Sequence, residues 1–283
     1  MKLLKIIIAL SFIGLIQNVF AQMNQTIGKI EYDETLLYAE VKQVDQFFRR
    51  FNNEEDARGV KYDFKDPKYH NNDIRSKYFY ALFDKYSILV TSDAKNEFSN
   101  YVLNPKNPYF LDFYNTEWYA EVSAKVLWNN SETKEITYYF KLEHEREGYK
   151  WVISNIYFAP FDYLYTPLSD SIKEEHFLHP KSHEIDFINL PKEFRDPEYF
   201  SAYLYKDYQP DPLTLYLYEL KKGNIKFLNV DNTKFHFLIN QKWYFEIIYF
   251  NRNEINSGWL ISNLLPVSEQ EYSTLRNTFN SSK

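Results

Sequence analysis

The sequence predicts an α+β protein in which helices precede a curved antiparallel sheet, and it predicts that this arrangement occurs twice. Three observations carry that expectation. Apolar residues recur at helical spacing through 36–102. They alternate with polar residues in 117–158 and again in 225–264. A short string at the end of the first strand block, Trp151-Val152-Ile153-Ser154-Asn155-Ile156, returns at the end of the second as Trp259-Leu260-Ile261-Ser262-Asn263-Leu264.

The first helix is expected over 36–51, where Leu37, Val41, Val44, Phe48 and Phe51 form one apolar stripe. Glu40, Lys42, Gln43, Arg49 and Arg50 occupy its other face. A second helix, about 76–86, carries Phe79, Leu82, Phe83 and Tyr86. A third starts at Ser92 as candidate N-cap and carries Phe98, Tyr101 and Val102 before Pro105. The period then changes. In 117–128, Trp118, Ala120, Val122, Ala124, Val126 and Trp128 share one face, opposite Glu117, Tyr119, Glu121, Ser123, Lys125 and Leu127. Asn129-Asn130-Ser131 turns the chain into a strand marked by Ile136, Tyr138, Phe140 and Leu142. Glu145-Arg146-Glu147-Gly148 turns it again into a strand from Tyr149 to about Phe158.

Pro160, Pro167 and Pro180 bracket an acidic, polar stretch, so 166–181 is expected to link a first domain, 22–165, to a second, 182–283. Asp196-Pro197 and Asp211-Pro212 each place a capping acid before a proline suited to the first helical position. The helix from Pro212 to Lys222 should close on Gly223. Ile225–Val230 and Lys234–Ile239 are expected as a hairpin turning at Asp231-Asn232. A second hairpin pairs Trp243–Phe250 with Trp259–Leu264 across 251–257.

Residues 1–21 are expected to be an address rather than structure. Lys2 and Lys5 precede the apolar Ile6–Ile16, and Val19 and Ala21 fit the −3 and −1 positions of a signal-peptidase site. Cleavage after Ala21 would leave 262 residues and move the net charge from −6 to −8. That implies a periplasmic or secreted protein with no membrane insertion after cleavage. The acidic balance excludes a nucleic-acid footprint, leaving protein, glycan or small hydrophobic partners. The absence of cysteine excludes disulfides, thiolate metal sites and Cys nucleophiles. Six dispersed glycines exclude a phosphate-cradling loop. With 24 Phe, 26 Tyr and 5 Trp, aromatic rings are the expected core material. A stacking surface would require a row of exposed rings.

Helices followed by a long bent antiparallel sheet that closes on Gly148/Trp151/Ile153, and again on Gly258/Trp259/Ile261, resembles the nuclear transport factor 2 superfamily. The resemblance implies a cystatin-like α+β cone, here in tandem as in exported proteins of Bacteroidetes. The second copy departs from the pattern because Pro191 cuts its first helix short. Asp170-Ser171-Ile172 fits the short O-glycosylation signal of such proteins. The superfamily contains isomerase-, dehydratase- and cyclase-like enzymes as well as binding and assembly modules, all with the ligand in the cone.

Candidate chemistry is sparse. His176, His179 and His183, with Glu184, are the only dense metal-capable cluster, but Pro180 breaks any helix that would hold all three. Glu121, His236 and Glu246 lie on strands opposite the large apolar residues, so their parity assigns them to solvent-side ladders. His70 and His144 lack a partner pattern, and Glu54-Glu55-Asp56 reads as a solvated helix end. Trp151 and Trp259 are expected to anchor each sheet, or else to line a ligand pocket. No catalytic residue and no cofactor is expected. The sequence reading is an exported, non-catalytic binding or assembly module. Its alternatives are an isomerase-, dehydratase- or hydrolase-like enzyme using the first cone, or glycan binding through exposed aromatics.

Overall fold

The computed structural model describes residues 40–41, 43–146, 148–181, 185–253 and 255–280. The expected signal peptide and His183 lie outside the described residues. The chain forms two compact units that are discontinuous in sequence. The first holds the chain up to Lys85 with Tyr101–Phe110 and Phe250–Leu260, and the second holds Tyr86–Asn100, Leu111–Tyr249 and the chain from Ile261.

In the first unit, β1 (Glu40–Val41) pairs in parallel with the start of β7 (Ser257–Pro266), and α1 runs from Val44 to Asn52. The helix is therefore shorter than the apolar stripe suggests. Val41, counted in that stripe, belongs to β1, where it is registered against Gly258. Asn53 ends α1 in the left-handed region with φ 61°, a conformation asparagine tolerates. The α2 helix (Asn72–Tyr78) starts four residues earlier than periodicity suggests, because the Asn71 side chain accepts from the Ile74 N–H. It passes into a 3₁₀ turn, Phe79–Leu82. Phe47, Phe48, Phe51, Phe79, Leu82 and Phe83 are buried.

The first unit also buries charge. Glu55 is 0 % exposed and is held by Gln46 at 2.9 Å, Arg49 at 2.7 Å and Arg50 at 3.0 Å. This corrects the expectation of a solvated helix end: desolvation is tolerated because the carboxylate is fully paired. Arg75 is likewise buried. Its guanidinium donates to the carbonyls of Phe51 (2.8 Å) and Tyr109 (2.9 Å) and to Asn72 Oδ1 (3.1 Å), over the Phe110 ring. Burial lowers its pKa to about 10.

The second unit is built on an antiparallel sheet in the order β7-β6-β5-β2-β3-β4, to which β7 contributes its residues from Ile261. The strands are β2 (Glu117–Trp128), β3 (Glu132–Glu145), β4 (Gly148–Tyr157), β5 (Ile225–Ile239) and β6 (Trp243–Phe250). The α3 helix (Ser92–Val102) delivers Phe98 onto Trp243 and Phe245. Its cap is Thr91 rather than Ser92, since Thr91 Oγ1 accepts from the Ala94 N–H at 3.2 Å. Asn129 and Asn130, at φ 51° and 57°, make the tight β2–β3 turn.

The expected hairpin at Asp231-Asn232 does not form. The strand β5 runs unbroken through it, pairing with β2 from Glu117↔Leu238 to Trp128↔Ile225 with register shifts that skip Asp231 and Leu228. The turn lies instead at Asn240-Gln241, both at positive φ. A β-bulge absorbed the local turn chemistry because the β2 edge supplies partners on both sides of it. Strands from both sides of 166–181 are thus hydrogen-bonded neighbours of one sheet. The meanders β2-β3-β4 and β5-β6-β7 flank the central β2–β5 pair, and the Trp-x-Ile-Ser-Asn strings fall on β4 and β7.

Short helices join β4 to β5: α4 (Asp170–Glu175), α5 (Ile185–Ile188), α6 (Leu190–Glu193), a 3₁₀ turn (Pro197–Tyr203) and α7 (Pro212–Lys222). As expected, Asp211 caps α7 by accepting from the Thr214 N–H, and Gly223 closes it at φ 79°. Leu213, Leu215 and Tyr216 of α7 pack on Ala124, Val126, Ile136 and Ile156 of the sheet. After β7, α8 (Glu269–Phe279) begins with a capping box, Ser268 and Glu271. Among the described residues no helix is long and apolar enough to cross a membrane.

Candidate functional site

The sheet of the second unit has one aromatic face, and its other face is polar yet covered. Tyr272, Leu275 and Phe279 lie on one side of α8 at helical spacing and pack with Tyr119, Leu238 and Tyr244. This cover overturns the solvent-side assignment of the strand acids. His236 is 4 % exposed, Glu246 is buried and Glu121 is largely so. The parity of these residues was right. Their environment was not, because strand alternation is blind to a helix arriving from a distant segment.

Beneath α8 these groups satisfy one another. His236 Nδ1 lies 2.8 Å from the Tyr244 hydroxyl, and its Nε2 lies 3.0 Å from Glu121 Oε2. The Phe279 ring stacks on the imidazole at 4.7 Å. Ser262 donates to Glu246 Oε1 at 3.0 Å, and Lys234 Nζ stands 3.7 Å from Glu121 and 3.6 Å from Glu246. Burial would raise the Glu121 carboxyl, but the hydrogen bond and charge of His236, with Lys234, outweigh it and hold it below the usual carboxylate range. Burial, reinforced by the Glu246 and Glu121 charges, pushes the Tyr244 hydroxyl upward. Both imidazole nitrogens are engaged, so the cluster reads as a structural network.

A groove opens at one end of the same sheet. The β2–β3 ladder stops at Ala120↔Phe140, although β2 continues to Glu117 and β3 continues to Glu145. The strands part there, next to a register shift between Tyr139 and Phe140 in the β3–β4 ladder. The resulting space of about 630 Å³ is walled by Tyr114, Thr116 and Glu117–Tyr119, by Lys141 and Leu142, and by Arg276, Asn277 and Asn280 at the end of α8. Its polar wall is organised around Glu117. That carboxylate accepts from the Tyr119 hydroxyl at 2.8 Å and from the Tyr272 hydroxyl, and it forms an ion pair with Arg276 Nε at 3.1 Å. The Glu117 charge pushes the Arg276 pKa upward, while burial and then Glu117 raise Tyr272 to about 12. Asn280 donates to Tyr119 at 2.9 Å.

On the Trp118 face of the same sheet end stand exposed aromatic rings, of which Tyr114 alone also lines the groove. Tyr114 is 54 % exposed and stacks on Tyr149, 42 % exposed, with centroids 4.3 Å apart. Trp151 follows Tyr149 on the same face of β4, 39 % exposed and edge-on to Trp118 at 5.0 Å. Of the two tryptophans singled out in the sequence, Trp151 therefore stands at the surface rather than inside the sheet, whereas Trp259 is partly buried.

Of the candidate metal ligands, His176 and His179 have other partners, and His183 lies outside the described residues. His176 stacks on Tyr199 at 4.5 Å, and His179 Nδ1 accepts from the Lys181 N–H at 3.0 Å. Among the described residues no three His, Asp or Glu side chains could hold a metal ion together. His70, which looked partnerless, is 2.9 Å from Glu54 and sandwiched between Tyr69 and Phe110 at 4.0 Å each.

Glu117, Arg276, Asn277 and Asn280 were missed by sequence reasoning. A usable signal existed for part of them. The Ser268-x-x-Glu271 box and the Tyr272/Leu275/Phe279 spacing announce the helix that carries Arg276 and Asn277, with Asn280 as its C-cap. Comparison with protein-family models, with curated proteins and with solved structures finds no match to this chain.

Proposed function

We propose that this chain is an exported, non-catalytic binding module, built as two cone-like α+β repeats of nuclear transport factor 2 type, whose ligand lies in the groove between the parted strands β2 and β3. One observation carries the reading. The open, polar groove and the chemically versatile His236 network are in different places, because α8 separates the imidazole from solvent while leaving Arg276, Asn277 and Asn280 at the groove wall. A catalytic carboxylate or imidazole must reach its substrate. Here the one carboxylate in the groove wall among the described residues, Glu117, is engaged by two tyrosines and an arginine. Splayed strands also leave backbone donors and acceptors available to a bound molecule.

The test combines a thermal-shift screen of the full chain, against glycan, peptide and small apolar libraries, with turnover panels for isomerase, dehydratase and hydrolase chemistry. The expected result is a stabilising ligand whose effect disappears in Arg276→Ala and Asn277→Ala, with no turnover. Turnover abolished by Glu121→Gln or His236→Asn would overturn the reading.

A further inference from the structure

We infer that β4 is a self-association edge: two copies of this chain pair their β4 strands antiparallel about a two-fold axis at Trp151, so that the sheet of one copy continues into the other. The interface lies at the outer edge of the sheet and does not depend on the groove being a ligand site.

The strand edge is the first argument. β4 ends the strand order, and its ladder with β3 runs without a register shift from Glu145↔Gly148 to Phe140↔Ile153. Every second residue of such a strand turns its N–H and C=O away from its single neighbour, which leaves an outward row of donors and acceptors. Among the described residues, no backbone hydrogen bond beyond the β3 ladder reaches 148–153. Past Ile153 the register shifts, and the Ser154 and Asn155 side chains are tied to the Phe279 and Thr278 carbonyls of α8. Devices that keep an edge solitary are missing from 148–153, which has neither a proline nor a bulge. The open edge of β5 differs: before Lys234, where pairing with β6 begins, it carries two register shifts.

The side chains are the second argument. Tyr149, Trp151 and Ile153 alternate along the Trp118 face of β4 and are all exposed. An occupant must therefore be an extended strand with apolar residues at alternate positions, and β4 of a second copy is such a strand. A two-fold axis at Trp151 sets Trp151 against its own equivalent and Tyr149 against Ile153 of the second copy, keeping the apolar face continuous. It also sets Lys150 against Val152, whereas an axis one residue earlier would oppose two lysines.

Charge permits this approach although the chain carries a net −6. At this end of β3 and β4, Lys150 pairs with Glu145 at 2.5 Å and Lys141 with Glu143 at 3.4 Å, so these four groups sum to zero. Tyr149, Trp151 and Ile153, at 42 %, 39 % and 39 % exposure, offer roughly 250 Å² of side-chain area per copy. Even with the backbone edge added, that lies below the roughly 800 Å² per partner of a standard interface. Main-chain hydrogen bonds then supply much of the affinity, and the dimer should dissociate at about 10–100 μM.

Sedimentation velocity of the chain between about 1 and 500 μM tests the inference. The expected result is a reversible monomer–dimer equilibrium, with amides of 148–153 gaining hydrogen-exchange protection as concentration rises. Trp151→Lys and Trp151→Glu each place like charges on the axis and should weaken dimerisation by about tenfold or more. An equimolar mixture of the two should recover dimers that neither forms alone. Trp151 is exposed, so both variants should keep the parental far-ultraviolet spectrum, and Tyr163→Lys, at an exposed ring outside β4, should leave the dimer unchanged. A chain monomeric at the highest concentration, dimers indifferent to Trp151→Lys, or variants that stay apart on mixing would overturn the inference. A monomer that instead binds an alternating Thr-Val hexapeptide, with binding lost in Trp151→Lys, would overturn the second copy as occupant and assign the edge to a foreign strand.

Discussion

Replacing Phe279 by alanine should undo the cover of the polar sheet face. The ring is buried and stacks on Tyr119 at 4.8 Å and on His236 at 4.7 Å, with Tyr139 edge-on at 5.6 Å. Truncating a buried phenylalanine costs about 3–5 kcal/mol, including about 0.5–1.5 kcal/mol for each lost aromatic pair. Local opening of α8 would limit the loss to what its docking supplies. We expect a loss of about 3 kcal/mol by urea denaturation. Backbone amides of α8 should lose hydrogen-exchange protection, and the Ser154 hydroxyl should lose its bond to the Phe279 carbonyl, 2.6 Å long in the intact protein. A change below about 1 kcal/mol with protection of α8 intact would refute the claim that this helix roofs the His236 network.

Glu55→Gln should destabilise the protein by about 3 kcal/mol in denaturant titrations, since it removes the buried carboxylate charge that pairs with both Arg49 and Arg50. Thr91→Ala should cost about 1 kcal/mol by the same measurement and Ser92→Ala should be close to neutral, the reverse of what the sequence alone suggests for the α3 cap. The Glu121 carboxyl titrates below its ordinary value of 4.5 in the folded chain, so it contributes stability above that value that is lost as pH falls through its folded pKa. The acid limb of the stability profile should accordingly flatten in Glu121→Gln, and an unchanged slope would argue against the His236–Glu121 contact.

The strand 117–128 was legible to the residue, because alternation is a local property of one strand with two different environments. The α7 helix was legible for the same reason: Asp211, Pro212 and Gly223 write its ends into neighbouring positions. Illegible features depended on partners distant in sequence. Asp231-Asn232 has the chemistry of a turn, and only the β2 edge, more than 100 residues earlier, makes it a bulge. Glu121, His236 and Glu246 sit on the expected face, and only α8 makes that face an interior. The groove has no local signature at all, since it arises where two ladders stop sharing residues. Tyr114 in its wall was visible as a letter, but nothing in the letters distinguished it from the tyrosines of the core.

The central claim is that the end of the sheet where β2 and β3 part is the working surface of this protein. The most direct measurement is a crystal structure of the chain with a stabilising ligand from the thermal-shift screen. The account predicts that ligand between β2 and β3, in contact with Arg276, Asn277 and Asn280. Ligand bound elsewhere on the chain, with the groove occupied by solvent alone, would contradict it.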